Sequence, residues 1–182
     1  MFPTETYTAR RRRLRKQVAS GVILLLGSDP SPVNYPDNCY PFRQDSTFLY
    51  FFGLDKPGLA AAIDVDEGTE CLFGDDVTID AVIWTGPQTP LRERARRVGV
   101  TQTAPSRDLA FVLERASKRG RAIHFLPPYR PDHLLWIAEL LGFPPEAVGG
   151  LASETLIRAA VAQRSVKSSE EIEQIELALS VS

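Results

Sequence analysis

The sequence is poor in the side chains that most often carry enzyme chemistry. Its 182 residues include two histidines, His124 and His133, and two cysteines, Cys39 and Cys71. None of them has the spacing of a zinc site, and no H-E-x-x-H motif is present. Glycine-rich phosphate loops and the G-x-S-x-G nucleophile elbow are also missing. These residues alone therefore predict no complete metal, nucleotide or serine-hydrolase site.

Long apolar runs and an excess of one charge are missing as well. Residues 22–26 form an apolar run of five residues after an arginine-rich segment, in the order of a signal peptide. The run is short, Ser20 and Gly21 separate it from Val18, and no A-x-A cleavage pattern follows. A membrane-spanning helix needs about 20 apolar residues. Because the signal-peptide pattern fails and no membrane span is predicted, we expect a cytoplasmic protein. The net charge of -2 further leads us to expect binding to neither nucleic acid nor membranes.

For the cysteines, the histidines and one pair of acidic residues, we expect structural or solvent-exposed roles rather than catalytic ones. The two cysteines are compatible with one disulfide, but we expect reduced, partly buried thiols. His124 lies in a predicted strand and His133 at a predicted helix start, so we expect packed or surface roles. Asp75 and Asp76 are adjacent acids after a glycine. We expect them to be solvated, because a hard-cation site needs several converging oxygens.

The order of apolar runs and turn residues predicts a layered α/β domain. Residues 7–19 have helical composition, with Leu14 and Val18 facing inward and a basic face in solvent. A nucleic-acid or lipid patch is the alternative for that face. Residues 22–26 predict a strand buried on both faces, and residues 59–65 and 69–73 predict a hairpin. That hairpin makes the sheet mixed, with helices packed against it.

Further elements follow from propensity and from helix start and stop signals. We expect Ser106 and Asp132 to cap two of the helices. The predicted strands are residues 47–52, 81–85 and 122–126, and the predicted helices are residues 91–98, 106–119, 133–141 and 154–164.

The last residues predict a well-started helix whose apolar face has no partner in this chain. Ser168 and Glu171 have the spacing of a capping box. Ile172, Ile175 and Leu179 follow at intervals of three and four, which places them on one helical face. We expect this helix, from Ser169 onward, to be frayed or docked on a neighbour.

The most distinctive segment is residues 40–53, where aromatic and polar residues alternate. Arg43 lies in it, and its forked guanidinium is suited to binding a carboxylate. The alternative is that Arg43 pairs with an internal acid, Asp37 or Asp45, and that the aromatic side chains belong to the core.

This segment reads Y-P-F-R-Q-D-S-x-F-x-Y-F-x-G, which resembles the signature of the N-terminal domain of aminopeptidase P, the Xaa-Pro aminopeptidases. Trp84-Thr85-Gly86 resembles the W-x-G of that family. Residues 164–172 resemble the R-x-x-K-S-x-x-E-I junction that opens the catalytic domain, a junction shared with prolidases and creatinase-like relatives. The resemblance covers nearly the whole chain.

The resemblance implies a creatinase-like, ribonuclease H-like α/β domain over residues 1–166, with residues 167–182 as linker and first helix of a pita-bread catalytic domain. In the family, two Asp, one His and two Glu of that second domain hold two divalent metal ions, commonly manganese. None of the five matches a position here. We therefore expect the catalytic domain to be absent from this chain, and the chain to have no peptidase activity alone.

The resemblance further implies a hydrolase that removes an N-terminal residue preceding proline. In the family this domain helps build homo-oligomers and closes part of a neighbouring active site. Its partners would be its own catalytic domain, further copies of itself and a peptide with proline in second position. The candidate substrate-binding residues are Asp37, Tyr40, Arg43 and Trp84. Plain packing or an internal ion pair is the alternative for each.

Two other functions remain open at this point. One is the N-terminal domain of a prolidase or creatinase-like relative. The other is an enzyme-derived module that binds proteins without catalysis.

Overall fold

A mixed five-stranded sheet forms the centre of the fold. The computed structural model describes residues 2–181. The strand order is β4-β3-β2-β1-β5, with β1–β2 and β2–β3 antiparallel and the two outer pairs parallel. The strands are β1 (Val22–Leu26), β2 (Ala60–Asp64), β3 (Thr69–Phe73), β4 (Gln102–Ala104) and β5 (Ile123–His124). The helices are α1 (Thr4–Val18), α2 (Ser46–Phe52), α3 (Ile79–Thr85), α4 (Leu91–Arg97), α5 (Asp108–Lys118), α6 (Pro131–Leu141), α7 (Pro145–Val148), α8 (Glu154–Ser165) and α9 (Ser169–Val181).

Strand β1 confirms the prediction of a strand buried on both faces. All five of its side chains are buried. Ile23 and Leu25 join a core formed with α1, α2, α4 and α8, whereas Val22, Leu24 and Leu26 join a second core formed with α5 and α6. A continuous apolar run is therefore explained by helices covering both faces of the sheet. The predicted hairpin is also present, as β2 and β3.

Residues 47–52 form helix α2, so the predicted strand there is wrong. Asp45 caps this helix, because its carboxylate accepts from two first-turn amides at 2.9 and 2.8 Å. Phe48, Phe51 and Phe52 are spaced as one helical face and are all completely buried. The cap and this spacing outweigh the strand propensity of aromatic residues.

The sheet differs from prediction at its edges. Residues 81–85 belong to helix α3, since the amide of Val82 donates to the carbonyl of Thr78 and that of Gly86 to the carbonyl of Val82. The outer strand beside β3 is instead β4, which pairs with β3 over three residues. Strand β5 has two residues rather than five. Edge strands this short contain too few residues to show the alternation of apolar and polar residues from which strands are predicted.

Two predicted helix caps are wrong. Helix α5 begins at Asp108, and Ser106 instead donates its amide to Asp75 Oδ1 at 3.2 Å. Helix α6 begins at Pro131, whose fixed φ suits the first helical position. Asp132 therefore lies inside the first turn, where it accepts from Arg130 Nε at 3.0 Å.

The basic face of α1 is partly buried, which corrects the expectation of a fully solvated face. Arg11 is fully buried and donates to Glu70 at 2.7 Å and to main-chain carbonyls of α2 and the end of α4 at 2.9 and 2.8 Å. Arg10 lies 3.9 Å above the Tyr50 ring and donates to the Tyr50 carbonyl at 2.8 Å. Two of the arginines are therefore core residues, while Arg12 is exposed as expected.

Arg121 joins the hairpin to the start of β5. Its Nη1 donates to Asp64 at 2.7 Å and its Nε to Asp66 at 2.8 Å. Burial alone raises the pKa of Asp64, but the Arg121 hydrogen bonds and charge and two main-chain amides bring that pKa below its ordinary value. A carboxylate with a depressed folded-state pKa stabilises the fold above its unfolded pKa, and this contribution disappears as pH falls through the folded pKa.

Replacing Asp64 with asparagine removes the carboxylate of this ion pair. Asp64→Asn should lower the free energy of unfolding at pH 7 by about 1.5–3 kcal/mol, since a charge-assisted hydrogen bond is lost. The difference from wild type should shrink as pH falls below about 4, where the unfolded carboxyl already binds its proton. Urea unfolding between neutral and acidic pH measures it. Glu173→Gln, which alters an exposed acid of α9, should leave the difference near zero throughout. A pH-independent loss for Asp64→Asn would contradict the prediction.

Among residues 2–181, no single helix is long and apolar enough to cross a membrane. The segments Pro131–Leu141 and Pro145–Leu151 reach the required length and composition only together, with a bend of 99° between them.

Candidate functional site

Asp37 and Tyr40 lie on a small hairpin-like loop between β1 and α2. Pro32 and Cys39 form an isolated antiparallel bridge, and the Tyr40 amide donates to the Ser31 carbonyl at 2.9 Å. Asp37 lies in the turn beyond this bridge and is exposed, and Tyr40 at its base is 60% exposed. Both side chains are therefore available for contact with another molecule.

Gln44 holds the end of this loop in place. Its buried amide oxygen accepts from the main-chain amides of Ser28 and Asp45 at 2.6 and 2.9 Å. Its amide nitrogen donates to the carbonyls of Leu54 and Lys56 at 3.2 and 2.8 Å. One side chain thus fixes the start of the loop, the start of α2 and the segment after it. Residue type alone predicts no role for Gln44, because its hydrogen-bond partners lie on segments that only the fold brings together.

Arg43 is exposed beside this anchor. Of the two internal acids considered as its partners, Asp45 caps α2 and Asp37 lies at the exposed turn. Across the part of the chain that the structure describes, Arg43 forms no ion pair with a carboxylate. Arg43 lines a cavity of about 840 Å³ next to α2. The internal ion pair is therefore not formed, whereas the burial of Phe48, Phe51 and Phe52 confirms the core assignment for those aromatic residues.

Trp84 lies on α3 and is 89% exposed, next to Ile83 at 76%. Large apolar side chains grouped on a surface commonly mark contact with another molecule. The cavity that Arg43 lines is not lined by Asp37, Tyr40 or Trp84. The structure thus exposes all four candidates without gathering them around one cavity of this chain.

Both histidines have packing roles, as expected. His124 lies with Nε2 3.1 Å from the Ser20 carbonyl and Nδ1 2.7 Å from the Ser153 hydroxyl, so the Nε2-protonated tautomer satisfies both. Burial lowers the His124 pKa, which favours this neutral form. His133 Nε2 is 2.9 Å from the Gly27 carbonyl. Both rings are thus held in place by hydrogen bonds within the fold.

The acidic and thiol groups do not fit a metal centre. Within residues 2–181, no three His, Cys, Asp or Glu side chains converge on a point where an ion would bind. Asp76 accepts from the Leu91 amide at 2.7 Å, and Asp75 accepts from the Ser106 amide. These two acids therefore hold loops in place, which corrects the expectation that they are merely solvated. Cys39 and Cys71 are free thiols, as predicted. Burial raises the pKa of Cys71 to about 11.

Residues 7–124 match the family model described as aminopeptidase P, N-terminal domain. This chain belongs to that family. The match includes the loop, α2 and Trp84, and it confirms the resemblance drawn from residues 40–53.

A curated relative agrees with the family assignment, and solved structures share the fold. A Xaa-Pro aminopeptidase of Haemophilus influenzae is 31% identical over 138 residues, which are 69% of this chain and 30% of that protein. The aminopeptidase PepP of Pseudomonas aeruginosa superposes with a TM-score of 0.66 at 20% identity, over 78% of this chain and 32% of that one. A Bacillus anthracis structure assigned to aminopeptidase P reaches 0.78 at 16% identity, over 94% and 42%. The structural matches confirm the layered α/β fold with its mixed sheet. The chain thus covers between 30% and 42% of the length of these proteins.

Proposed function

We propose that this chain is the non-catalytic N-terminal domain of a metal-dependent Xaa-Pro aminopeptidase. The family match over residues 7–124 carries the proposal. The two manganese ions would be held by a catalytic domain, since the residues described here contain no converging ligand set. The contribution of this domain is then to bind, orient and assemble.

The surface supports a role in shaping a substrate pocket and in oligomerisation. Trp84 presents a large apolar face to a neighbouring subunit or to a substrate side chain. Asp37, on its exposed turn, presents a carboxylate suited to a substrate ammonium group. Tyr40 offers a ring and a hydroxyl, and Arg43 a fork suited to a carboxylate. A peptide pocket requires apolar walls together with a small number of well-placed polar groups.

The test uses Trp84→Ala in the enzyme that joins this domain to its catalytic domain. The wild-type enzyme should release the first residue of an X-Pro peptide in the presence of Mn²⁺, and residues 1–182 alone should not. Trp84→Ala should raise KM for peptides longer than three residues by about three- to tenfold, with a smaller change in kcat, because it removes binding rather than chemistry. Peptides of increasing length should show a growing effect.

Phe111→Ala is the matched control, because Phe111 is an aromatic residue on α5 that is 64% exposed. It should leave the kinetics unchanged. Unchanged kinetics for Trp84→Ala as well would remove Trp84 from the pocket. Light scattering on both variants tests whether Trp84 also supports the oligomer. An enzyme without X-Pro cleavage would contradict the aminopeptidase and favour the protein-binding module or a relative with another substrate.

A further inference from the structure

The cavity beside α2 is lined by an excess of positive charge. It has a volume of about 840 Å³ and lies between α1, α2 and the beginning of α9. Its apolar wall includes Phe42, Leu49 and Tyr50. Two carboxylates, those of Asp55 and Glu171, face five cations: Arg10, Arg43, Arg94, Arg164 and Lys167.

Four of these cations have no carboxylate partner in the part of the chain described. Arg94 donates to the Thr89 carbonyl at 2.9 Å, and Arg164 to the Thr47 hydroxyl at 2.8 Å. Lys167 donates to the carbonyl of Arg164 at 2.6 Å. These acceptors are neutral, and Arg43 is exposed. The cavity lining therefore keeps an excess of three positive charges, since five cations face two carboxylates.

The fifth cation, Arg10, already binds a carboxylate at the wall of the cavity. Arg10 is almost fully buried, and its Nη2 lies 3.2 Å from the carboxylate of Glu171 on α9. Its guanidinium also packs on the Tyr50 ring at 3.9 Å. The Arg10 guanidinium thus lies on an aromatic ring and binds one carboxylate, and other anionic oxygens could pair in the same way with the remaining cations.

We propose that this cavity is a binding site for a small organic anion, a phosphate or carboxylate with a planar apolar body. The anionic oxygens would meet Arg43, Arg164 and Lys167, and the body would lie against Phe42, Leu49 and Tyr50. The volume is within the range of small-molecule sites, about 300–1,000 Å³, and exceeds what a bare phosphate fills. Nothing in this inference depends on peptide hydrolysis.

Isothermal titration of the 182-residue chain tests the site with four probes: phenyl phosphate, benzoate, inorganic phosphate and phenol. The first two should bind saturably, inorganic phosphate more weakly, and neutral phenol not measurably. The tighter of the first two identifies the preferred anion. Raising salt from about 50 to about 500 mM should weaken binding, because the rim charges are exposed to screening.

The double variant Arg43→Gln/Lys167→Gln should weaken phenyl phosphate or benzoate binding at least about tenfold. Both side chains are exposed, so circular dichroism and the melting temperature should stay unchanged. The control Arg12→Gln/Lys16→Gln removes the same charge from exposed positions that do not line the cavity, and should bind like wild type. No saturable binding of either organic anion, or an equal loss in the two double variants, would overturn the proposal.

Discussion

Replacing Arg11 with methionine should lower the free energy of unfolding by about 3–5 kcal/mol, because removing one member of a buried ion pair leaves the other uncompensated. Arg11 is fully buried and its guanidinium satisfies Glu70 and two main-chain carbonyls. Methionine fills most of the volume but donates no hydrogen bond. Burial lowers the Arg11 pKa, while the charge of Glu70 and its hydrogen bond oppose the shift.

Urea unfolding followed by circular dichroism measures this loss. Arg12→Met is the matched control, since Arg12 is the next residue of the same helix and is exposed. It should change stability by less than about 0.5 kcal/mol. Arg11→Met/Glu70→Gln should recover part of the loss, because the second substitution removes the unpaired charge. A loss below about 1 kcal/mol for Arg11→Met would show that water or another group replaces the guanidinium.

The central sheet was predictable because its signals are local. The apolar run of β1, with no polar residue inside it, indicated burial on both faces, and Asp66, Glu67 and Gly68 indicated the hairpin turn. Each signal lies within a few neighbouring residues. The capping box of α9 is equally local, and the structure confirms it: Glu171 Oε2 accepts from the Ser168 amide at 3.0 Å, and Ser168 Oγ from the Glu171 amide at 3.3 Å.

The error at α2 came from two local signals that disagree. Aromatic residues favour strands, but Phe48, Phe51 and Phe52 lie at helical intervals after a capping aspartate. Core packing favours the helix over the strand, because only a helix places all three rings on one buried side. The spacing was the better guide.

The burial of Arg10 and Arg11 could not be predicted from α1 itself. A helix with four consecutive arginines has the composition of a solvated surface. The groups that receive these guanidinium hydrogen bonds lie on α2, on β3 and after α4, and only the tertiary fold brings them together. The same holds for the cavity beside Arg43, whose other cations come from α1, α4, α8 and the segment before α9. Residue type is enough to suggest candidate residues, but which of them lie close together depends on the tertiary fold.

Gly53 provides the second large expected effect. It ends α2 with φ +63°, and a Cβ there would overlap the buried ring of Tyr7. Gly53→Ala therefore combines a left-handed backbone conformation with overpacking against α1. Gly142 ends α6 with φ +68°, but no atom lies within 4 Å of its Cβ position. Gly142→Ala is thus matched in backbone conformation and helix position, and lacks the steric clash.

Urea unfolding should show a loss of about 1–2 kcal/mol for Gly142→Ala, the cost of a left-handed alanine. Gly53→Ala should lose a further 1–3 kcal/mol or so, the usual cost of overpacking a core. In a double-mutant cycle with Tyr7→Ala, the cost of Gly53→Ala should fall to that of Gly142→Ala, because the ring that causes the clash is gone. Equal losses for the two glycine variants would mean that Tyr7 moves aside. The contact between α1 and the end of α2 would then tolerate rearrangement, although Arg10 and Arg11 bind carbonyls of the same helix.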